Sequence, residues 1–465
     1  MPAQFISLVP PIVRELHQEG LLERAFHDAL APNLLFRGEA QREEADAQIG
    51  TSIFMTRRGL LPVNVAPRRS TEGDPQPQTL AYEQWISTLD RYYDTIDTSL
   101  VRARTQLADE LGSDLHALGV QAGMSINILA RNKLYKPYVS GHTVLILVTA
   151  AIDTSIRVAS LNGFRTVVLR GTNVAPQPVS PALPLPITIG PTNIARFVIG
   201  AIPDDPNDPD GPGTLALNAA VGAIVAVRGA VLAGNRPRLV RAGGGTTVDA
   251  IGAADIVTLQ DFNTAVTLLR NNKVPPHEDG TYHCHLPNDA NNQIFADEVF
   301  QRLHTALPDG ERYQSGFVSR ILGITFFANT ECPDNTNSGT TVATGTNALY
   351  SSMIGAETVN ESGIRIGRCI VTGRGAIYER WFNAQKHLVS EAGMTGKQGD
   401  FAVSNGGIAI NTDGIRLLIR SPIDRLQDLV SSTWDYIGDF PAPSDVAAGG
   451  PEHYKRAVEV EFALP

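Results

Sequence analysis

The sequence predicts an α+β fold built around one long helix and interrupted by a β-rich insertion. Three observations carry this. Leu100, Leu107, Leu111, Leu115, Leu118, Ile126 and Leu129 recur at spacings near three and four, the period of one helix face. Residues 138–254 contain neither Lys nor Glu and break into short apolar runs separated by Pro, Gly and Asp. Residues 50–97 set two strand-like segments either side of a stretch punctuated by Pro and Gly.

Composition bounds what such a chain does. At 465 residues and 43% hydrophobic content it has ample core for several domains, and wholesale disorder is excluded. The net charge of −10 makes the chain a poor candidate for gripping phosphate backbones, which needs clustered Lys and Arg. Lysine is confined to Lys133, Lys136, Lys273, Lys386, Lys397 and Lys455, so Arg supplies most cations, as suits fixed, forked contacts at interfaces. Cys284, Cys332 and Cys369 are isolated and suggest a reducing compartment rather than a disulfide framework. The first twenty residues lack a basic stretch and carry Pro10 and Pro11, so no signal peptide is expected. No run reaches the ~18 apolar residues of a membrane span; residues 219–233 come nearest, and Arg228 breaks them.

Taken in order, residues 1–49 read as an N-terminal arm with polar helical pieces, LHQEGLLERAFHDAL and GEAQREEADAQ. Residues 50–97 read as one extended β-hairpin, from TSIFMTRR out and LAYEQWISTLDRYYDTI back. A lone hairpin is marginal in water, so its Phe54, Trp85 and Tyr92 are expected to rest on another surface, such as a neighbouring subunit. Arg57 and Arg58 are contact candidates on the same strand as Phe54. Residues 98–137 carry the helix, expected over 100–131 with Asp97, Thr98 and Ser99 as N-caps. Gly112, Gly119 and Gly123 weaken it without ending it. At 1.5 Å per residue it spans ~48 Å, which suits a structural spine.

Residues 138–254 read as a barrel or sandwich, through VLILV, FRTVVLRG, ARFVIGAI, GAIVAVRGAVL and PRLVRA. Residues 255–330 return to helix in DIVTLQDFNTAVTLLRNNKV, with Val257, Phe262, Val266 and Leu269 on one face. A strand follows, then a helix near 297–306 and a strand pair in GFVSRILGITFFANT. Residues 331–450 alternate strands and turns after a polar loop at 333–347, and 451–465 close on the strand KRAVEVEFAL.

HEDGTYHCHLPND, residues 277–289, is the strongest candidate for chemistry. On a strand His283 and His285 point to one face and Cys284 to the other, while His277 lies across a DG turn. A catalytic zinc needs a third ligand and usually a carboxylate behind it, and this spacing matches none of the strong ligand patterns. The expectation is no metal, with these side chains at a subunit contact or in a satisfied core network. A metal-dependent hydrolase using His277, His283 and His285 is the rival reading. DDPNDPDGPG, residues 204–213, mimics a calcium loop but has Gly at the wrong offset and Ala216 where Glu belongs, so it reads as an exposed turn. GGGTT at 243–247 lacks the dinucleotide spacing, and TGKQG at 395–399 lacks the P-loop Ser/Thr. Asp435, Asp439 and Asp445 are dispersed, and GxSxG is absent. No catalytic residue and no cofactor is expected.

Several segments resemble a known family. VPPHEDGTYHCHLPND (274–289), GFVSRILGITFFANTECP (316–333), RSPIDRLQDLVSSTWDYIGDF (420–440) and HYKRAVEVEFAL (453–464) are similar to parts of tailed-bacteriophage major capsid proteins of the Hong Kong 97 type. The order of arm, hairpin, long helix and mixed body resembles that family too. The resemblance does not extend to residues 138–254.

It implies a Hong Kong 97-like fold of N-arm, extended hairpin loop, spine helix, and peripheral and axial domains. Residues 255–330 would hold peripheral and axial parts, 331–450 the axial domain and return, and 451–465 a peripheral strand. It implies a non-enzymatic subunit that partners itself in hexamers and pentamers to form an icosahedral head around double-stranded DNA, without sequence-specific binding. Portal and scaffolding proteins, and a decoration protein, are implied partners; no membrane is. The implied location is the virion, after assembly in the host bacterial cytoplasm. Some capsids of this type crosslink a hairpin Lys to a neighbour, but residues 50–97 hold no Lys, so shells without covalent links are expected. An encapsulin-like cellular compartment shell enclosing a cargo enzyme is the alternative within the same fold.

Overall fold

The computed structural model describes residues 21–45, 50–58, 82–99, 110–167, 177–234, 236–305, 320–333, 362–383, 407–412, 414–420, 429–443 and 455–465, with residues 63, 65 and 360 besides. The chain divides into two compact units. The first comprises residues 1–53, 87–131 and 377–441; the second comprises 54–86, 132–376 and 442–465.

The first unit is organised on the strand Leu429–Asp439. One edge pairs antiparallel with Asp90–Ser99 along its length. The other edge pairs with Ile415–Arg420 and then with Tyr378–Trp381. Gly407–Thr412 extends the sheet on one side, and Gln41–Glu44 lies parallel to Tyr378–Trp381 on the other. Alternation in LVSSTWDYIGD turns Val430, Trp434 and Tyr436 inward.

Residues 21–45, part of the segment expected to be an N-terminal arm carrying short helices, pack into this unit. Helix Leu21–Leu30 buries Phe26, Ala29 and Leu30, and Phe36 and Arg37 follow them into the interior. The anchor is Glu379, which lies 342 residues from Arg37 and which no local pattern reveals.

The long helix runs Glu110–Tyr138, so it ends later than Arg131; Leu100 and Leu107 lie outside the described residues. Leu111, Leu115, Leu118 and Ile126 are buried as their spacing predicts, and Leu134, Tyr135 and Tyr138 continue the stripe. Pro137 does not end the helix early because it falls in the last turn. Asp97, Thr98 and Ser99 lie in strand Asp90–Ser99, where the Thr98 hydroxyl donates to Asp114 Oδ2 at 2.6 Å; residues 100–109, between them and Glu110, lie outside the described residues. Gly119 has a packing reason: a Cβ there would lie 2.9 Å from both Ala29 Cβ and the Phe26 carbonyl oxygen, so glycine lets the two helices approach.

The second unit holds a mixed sheet and a barrel. The sheet runs in the order Leu239–Arg241, Ala457–Ala463, Ile366–Thr372, Tyr282–Leu286, Ile324–Ala328, Arg320–Ile321. One face packs Val460, Phe462, Cys284 and Phe326 against Phe262 and Val266 of helix Leu259–Asn271. That helix begins at Leu259 because Thr258 and Asp261 form a capping box. The helix expected near 297–306 is observed as Glu298–Thr305. A second helix, Asn288–Ala296, precedes it and is missed from sequence because NDANNQIFA is short, polar and rich in Asn. Ile321 and Ile324 pair across a turn in which Leu322 and Gly323 both have positive φ, the geometry of a tight hairpin.

Six antiparallel strands of the insertion follow the order His142–Val144, Ala230–Ala233, Leu185–Ile189, Ile194–Pro203, Gly213–Leu217, Ser155–Val158. A Leu145–Val158 bridge, with Ala159 N donating to the Val144 carbonyl at 3.0 Å, joins last strand to first. The sheet is therefore a closed barrel. LPITI and GTLAL alternate as a barrel requires, with Leu185, Ile187, Ile189, Leu215 and Leu217 inside. The barrel spans 142–233. Leu239–Arg241, within the same Lys- and Glu-free stretch, instead pairs parallel with Ala457–Ala463, since composition does not mark where a strand changes sheet.

Candidate functional site

The histidine segment is a turn feeding a strand. The His277 carbonyl accepts from Gly280 N at 3.0 Å, and Gly280 takes the left-handed conformation (φ 77°) that the DG pair suits. Asp279 Oδ1 accepts from Thr281 N at 2.9 Å. Burial pushes the Asp279 carboxyl up, but the Thr281 hydroxyl and amide and the His283 charge outweigh it and hold the group at about 2.

Strand Tyr282–Leu286 then runs between Ile324–Ala328 and Ile366–Thr372. Cys284 turns into the apolar core, while His283 and His285 share the other face, where Phe327 meets both rings. His283 lies edge-on to Phe327 at 5.1 Å, and His285 stacks on it at 5.4 Å and is buried. His277 and His283 come together, stacked at 3.9 Å with planes 6° apart. Imidazole lone pairs lie in the ring planes, and two near-parallel planes do not converge on one ion. His277 Nε2 meets the Thr372 carbonyl at 3.2 Å, and His283 Nε2 lies 3.3 Å from Asp279 Oδ2. The arrangement is a stacked, hydrogen-bonded pair with His285 seated apart.

Sequence reasoning missed a second polar cluster, on the opposite face of the same sheet from helix Leu259–Asn271. In AVEVEFA, Val458, Val460 and Phe462 face the core, so Glu459 and Glu461 face away from it, and all are buried. Arg368 Nε lies 3.0 Å from Glu461 Oε1 and 3.2 Å from Glu459 Oε1. Arg241 Nε donates to Glu461 Oε2 at 2.6 Å. The strand's strict alternation of Glu with apolar residues was the available signal, but it looks the same in an exposed edge strand.

Burial and the neighbouring Glu461 charge push the Glu459 carboxyl well above its usual range, against the pull of Arg368 and Arg241. Burial also pushes Glu461 up, but Arg241 and Arg368 prevail and hold it at about 2. The signs oppose. Glu461 contributes stability above the ordinary value of 4.5 that is lost as pH falls toward 2. Glu459, with its folded value raised, makes stability fall as pH rises above 4.5. Glu459→Gln is therefore expected to match the parent at pH ~4 and exceed it at pH ~8. Denaturant midpoints across that range check this; an unchanged pH slope would contradict it.

The hairpin candidates separate. Ser52–Arg58 and Tyr82–Thr88 form an antiparallel two-stranded ribbon, with Gln84 Nε2 donating to Thr56 Oγ1 at 3.1 Å. The ribbon stops short of the expected residue 97, because Asp90–Ser99 belongs to the first unit's sheet. Tyr92 accordingly pairs with Tyr436 there and is half-buried. Strand propensity identified the segment but not its partner. Trp85 is buried in the single chain, with the Arg57 guanidinium 5.8 Å over its ring and Arg57 Nη1 donating to the Gly375 carbonyl at 3.3 Å. Phe54 is 57% exposed and Ile86 46% exposed on the same ribbon. The Arg58 side chain and the loop 333–347 beyond Pro333 lie outside the described residues.

No family model and no curated protein matches the chain. Among solved structures it is similar to phage capsid chains over most of its length. The capsid of cyanophage P-SCSP1u matches at 11% identity and TM-score 0.45, covering 93% of this chain and 89% of that one. The capsid asymmetric unit of cyanophage Pam1 matches at 9% and 0.47, covering 92% and 89%. The capsid of Ralstonia phage GP4 matches at 8% and 0.44, covering 92% and 87%.

Proposed function

We propose that this chain is the major shell subunit of a tailed-phage head, assembling with copies of itself as hexamers and pentamers around double-stranded DNA. The observation that carries the reading is the ribbon Ser52–Arg58/Tyr82–Thr88. It is two strands wide and presents Phe54 and Ile86 to solvent. Such a ribbon is marginal alone, and apolar side chains on it are stabilised once a neighbouring copy covers them. The resemblance of residues 274–289, 316–333 and 420–464 to the Hong Kong 97 type supports the same reading, as does the 29-residue helix at the position of that family's spine. One sequence that fills both sixfold and fivefold rings uses heterologous, slightly adaptable contacts, which a ribbon laid over a neighbour supplies.

Electron microscopy of particles from the chain expressed with its neighbouring genes tests this. Closed icosahedral shells containing DNA are expected, and on a denaturing gel they run as single chains, since residues 50–97 offer no Lys for a crosslink. Shells filled with protein cargo would instead indicate a cellular compartment. Small discrete oligomers would overturn the shell reading.

A further inference from the structure

Two stretches of the insertion, residues 145–153 and 221–229, adjoin the paired strands His142–Val144 and Ala230–Ala233 and run side by side. Leu145 N donates to the Gly229 carbonyl at 3.0 Å, Thr149 N to the Val225 carbonyl at 3.0 Å, and Gly222 N to the Ala151 carbonyl at 2.8 Å. Together they expose Leu147, Val148, Ile152, Ile224 and Val227, with Ile152 83% and Ile224 76% open. Resting on the shell reading, we propose that this aliphatic patch packs against the same patch of a second copy of the chain, about a local two-fold axis, once copies are held side by side.

Such a patch selects an apolar partner. Residues 144–152, VLILVTAAI, and 222–227, GAIVAV, carry no ionisable side chain. The charges that bound them are engaged within the chain. Asp153 Oδ2 accepts from Ala150 N at 2.6 Å, and Arg228 forks onto Asp249 through Nε at 2.7 Å and Nη2 at 2.6 Å. A nucleic acid therefore gains no phosphate contact here. A lipid surface is disfavoured as well, because binding to one draws on Lys and Trp around the apolar side chains, and neither stretch holds either residue.

Area points to the occupant. Five aliphatic side chains open a few hundred Å², short of the ~800 Å² per partner that holds two free proteins together. Burying that area, at ~25 cal/mol per Å², stabilises partners that are already close, since a free pair would first lose its translational and rotational freedom. Copies of this chain tiled in a shell meet that condition, and a patch that contacts itself needs only a two-fold axis between them. The mode is side-chain packing, because the barrel's ring of strands is closed to strand addition.

The test is disulfide trapping in assembled shells of Ile224→Cys and of Leu147→Cys, oxidised with copper phenanthroline and run on non-reducing denaturing gels. The native Cys284, Cys332 and Cys369 are buried and do not compete. A linked dimer is expected from at least one variant in shells and from neither in unassembled chains. Ile202→Cys, on the exposed side of strand Ile194–Pro203 and outside the patch, is expected to stay single. No dimer at either patch position, or equal dimer from Ile202→Cys, would overturn the contact and leave the shell reading standing. Shells of Leu147→Asp/Ile224→Asp are expected to dissociate at a lower urea concentration than the parent's, and an unchanged midpoint would overturn the contact too. Binding of the unassembled parent to phosphatidylcholine vesicles, lost in that double variant, would assign the patch to lipid instead. A parent that forms no shells would sink the shell reading, and the contact with it.

Discussion

Arg37→Met is expected to destabilise the first unit by about 3–5 kcal/mol, the usual cost of stranding one member of a buried ion pair. Arg37 and Glu379 are both fully buried, joined by Nε to Oε2 at 3.0 Å and Nη2 to Oε1 at 2.6 Å. The Tyr436 hydroxyl donates to Glu379 Oε1 at 3.0 Å, and Arg42 Nε lies 3.2 Å from Oε2. Neither replaces a guanidinium fork, because one is neutral and the other is partly solvated. Arg37→Met/Glu379→Leu is expected to recover much of the loss, since a buried pair adds little over well-packed apolar side chains. Tryptophan fluorescence during urea unfolding checks this, because Trp381 and Trp434 lie in the same unit. A loss below ~1 kcal/mol in the single variant would refute the account.

Gly163→Ala is expected to cost about 2–5 kcal/mol, in the second unit. Gly163 has φ +82°, where an L side chain costs ~1–2 kcal/mol. Its Cβ would also sit 2.4 Å from Gly141 N and 2.9 Å from Ser140 Cβ, and forced repacking adds ~1–3 kcal/mol. The contact closes the end of the long helix: Gly141 N donates to the Asn162 carbonyl at 2.9 Å, and Asn162 Nδ2 donates to the Lys136 carbonyl at 3.0 Å. Gly280→Ala is the matched comparison. Gly280 also has positive φ, but nothing lies within 4 Å of its Cβ position. Denaturant midpoints are expected to fall for both variants and clearly further for Gly163→Ala; equal losses would show that the close approach contributes nothing.

What could be read from the sequence was what neighbours in the chain determine. The stripe of Leu111, Leu115, Leu118 and Ile126 identified the long helix, because burial on a helix repeats every 3.6 residues. Period-two alternation correctly set His283 and His285 on one face and Cys284 on the other. Partners across long separations were not readable. Nothing near Arg37 announces Glu379, so the packing of residues 21–45 could not be read from their own letters. Nothing in YEQWISTLDRYYDTI shows that its first half pairs with Ser52–Arg58 and its second with Leu429–Asp439.

The strands by which the chain enters and leaves the barrel, His142–Val144 and Ala230–Ala233, are paired neighbours, with His142 opposite Leu232. The chain therefore leaves the body and rejoins it one strand spacing apart, ~5 Å, where a short turn would otherwise suffice. A segment attached in this way can be gained, lost or exchanged in a single genetic event without redirecting the polypeptide on either side. Its ring of six strands is already complete, so the ring itself has no open edge at which another chain could add a strand. The insertion thus has the layout of a self-contained accessory, joined to the body at a single place.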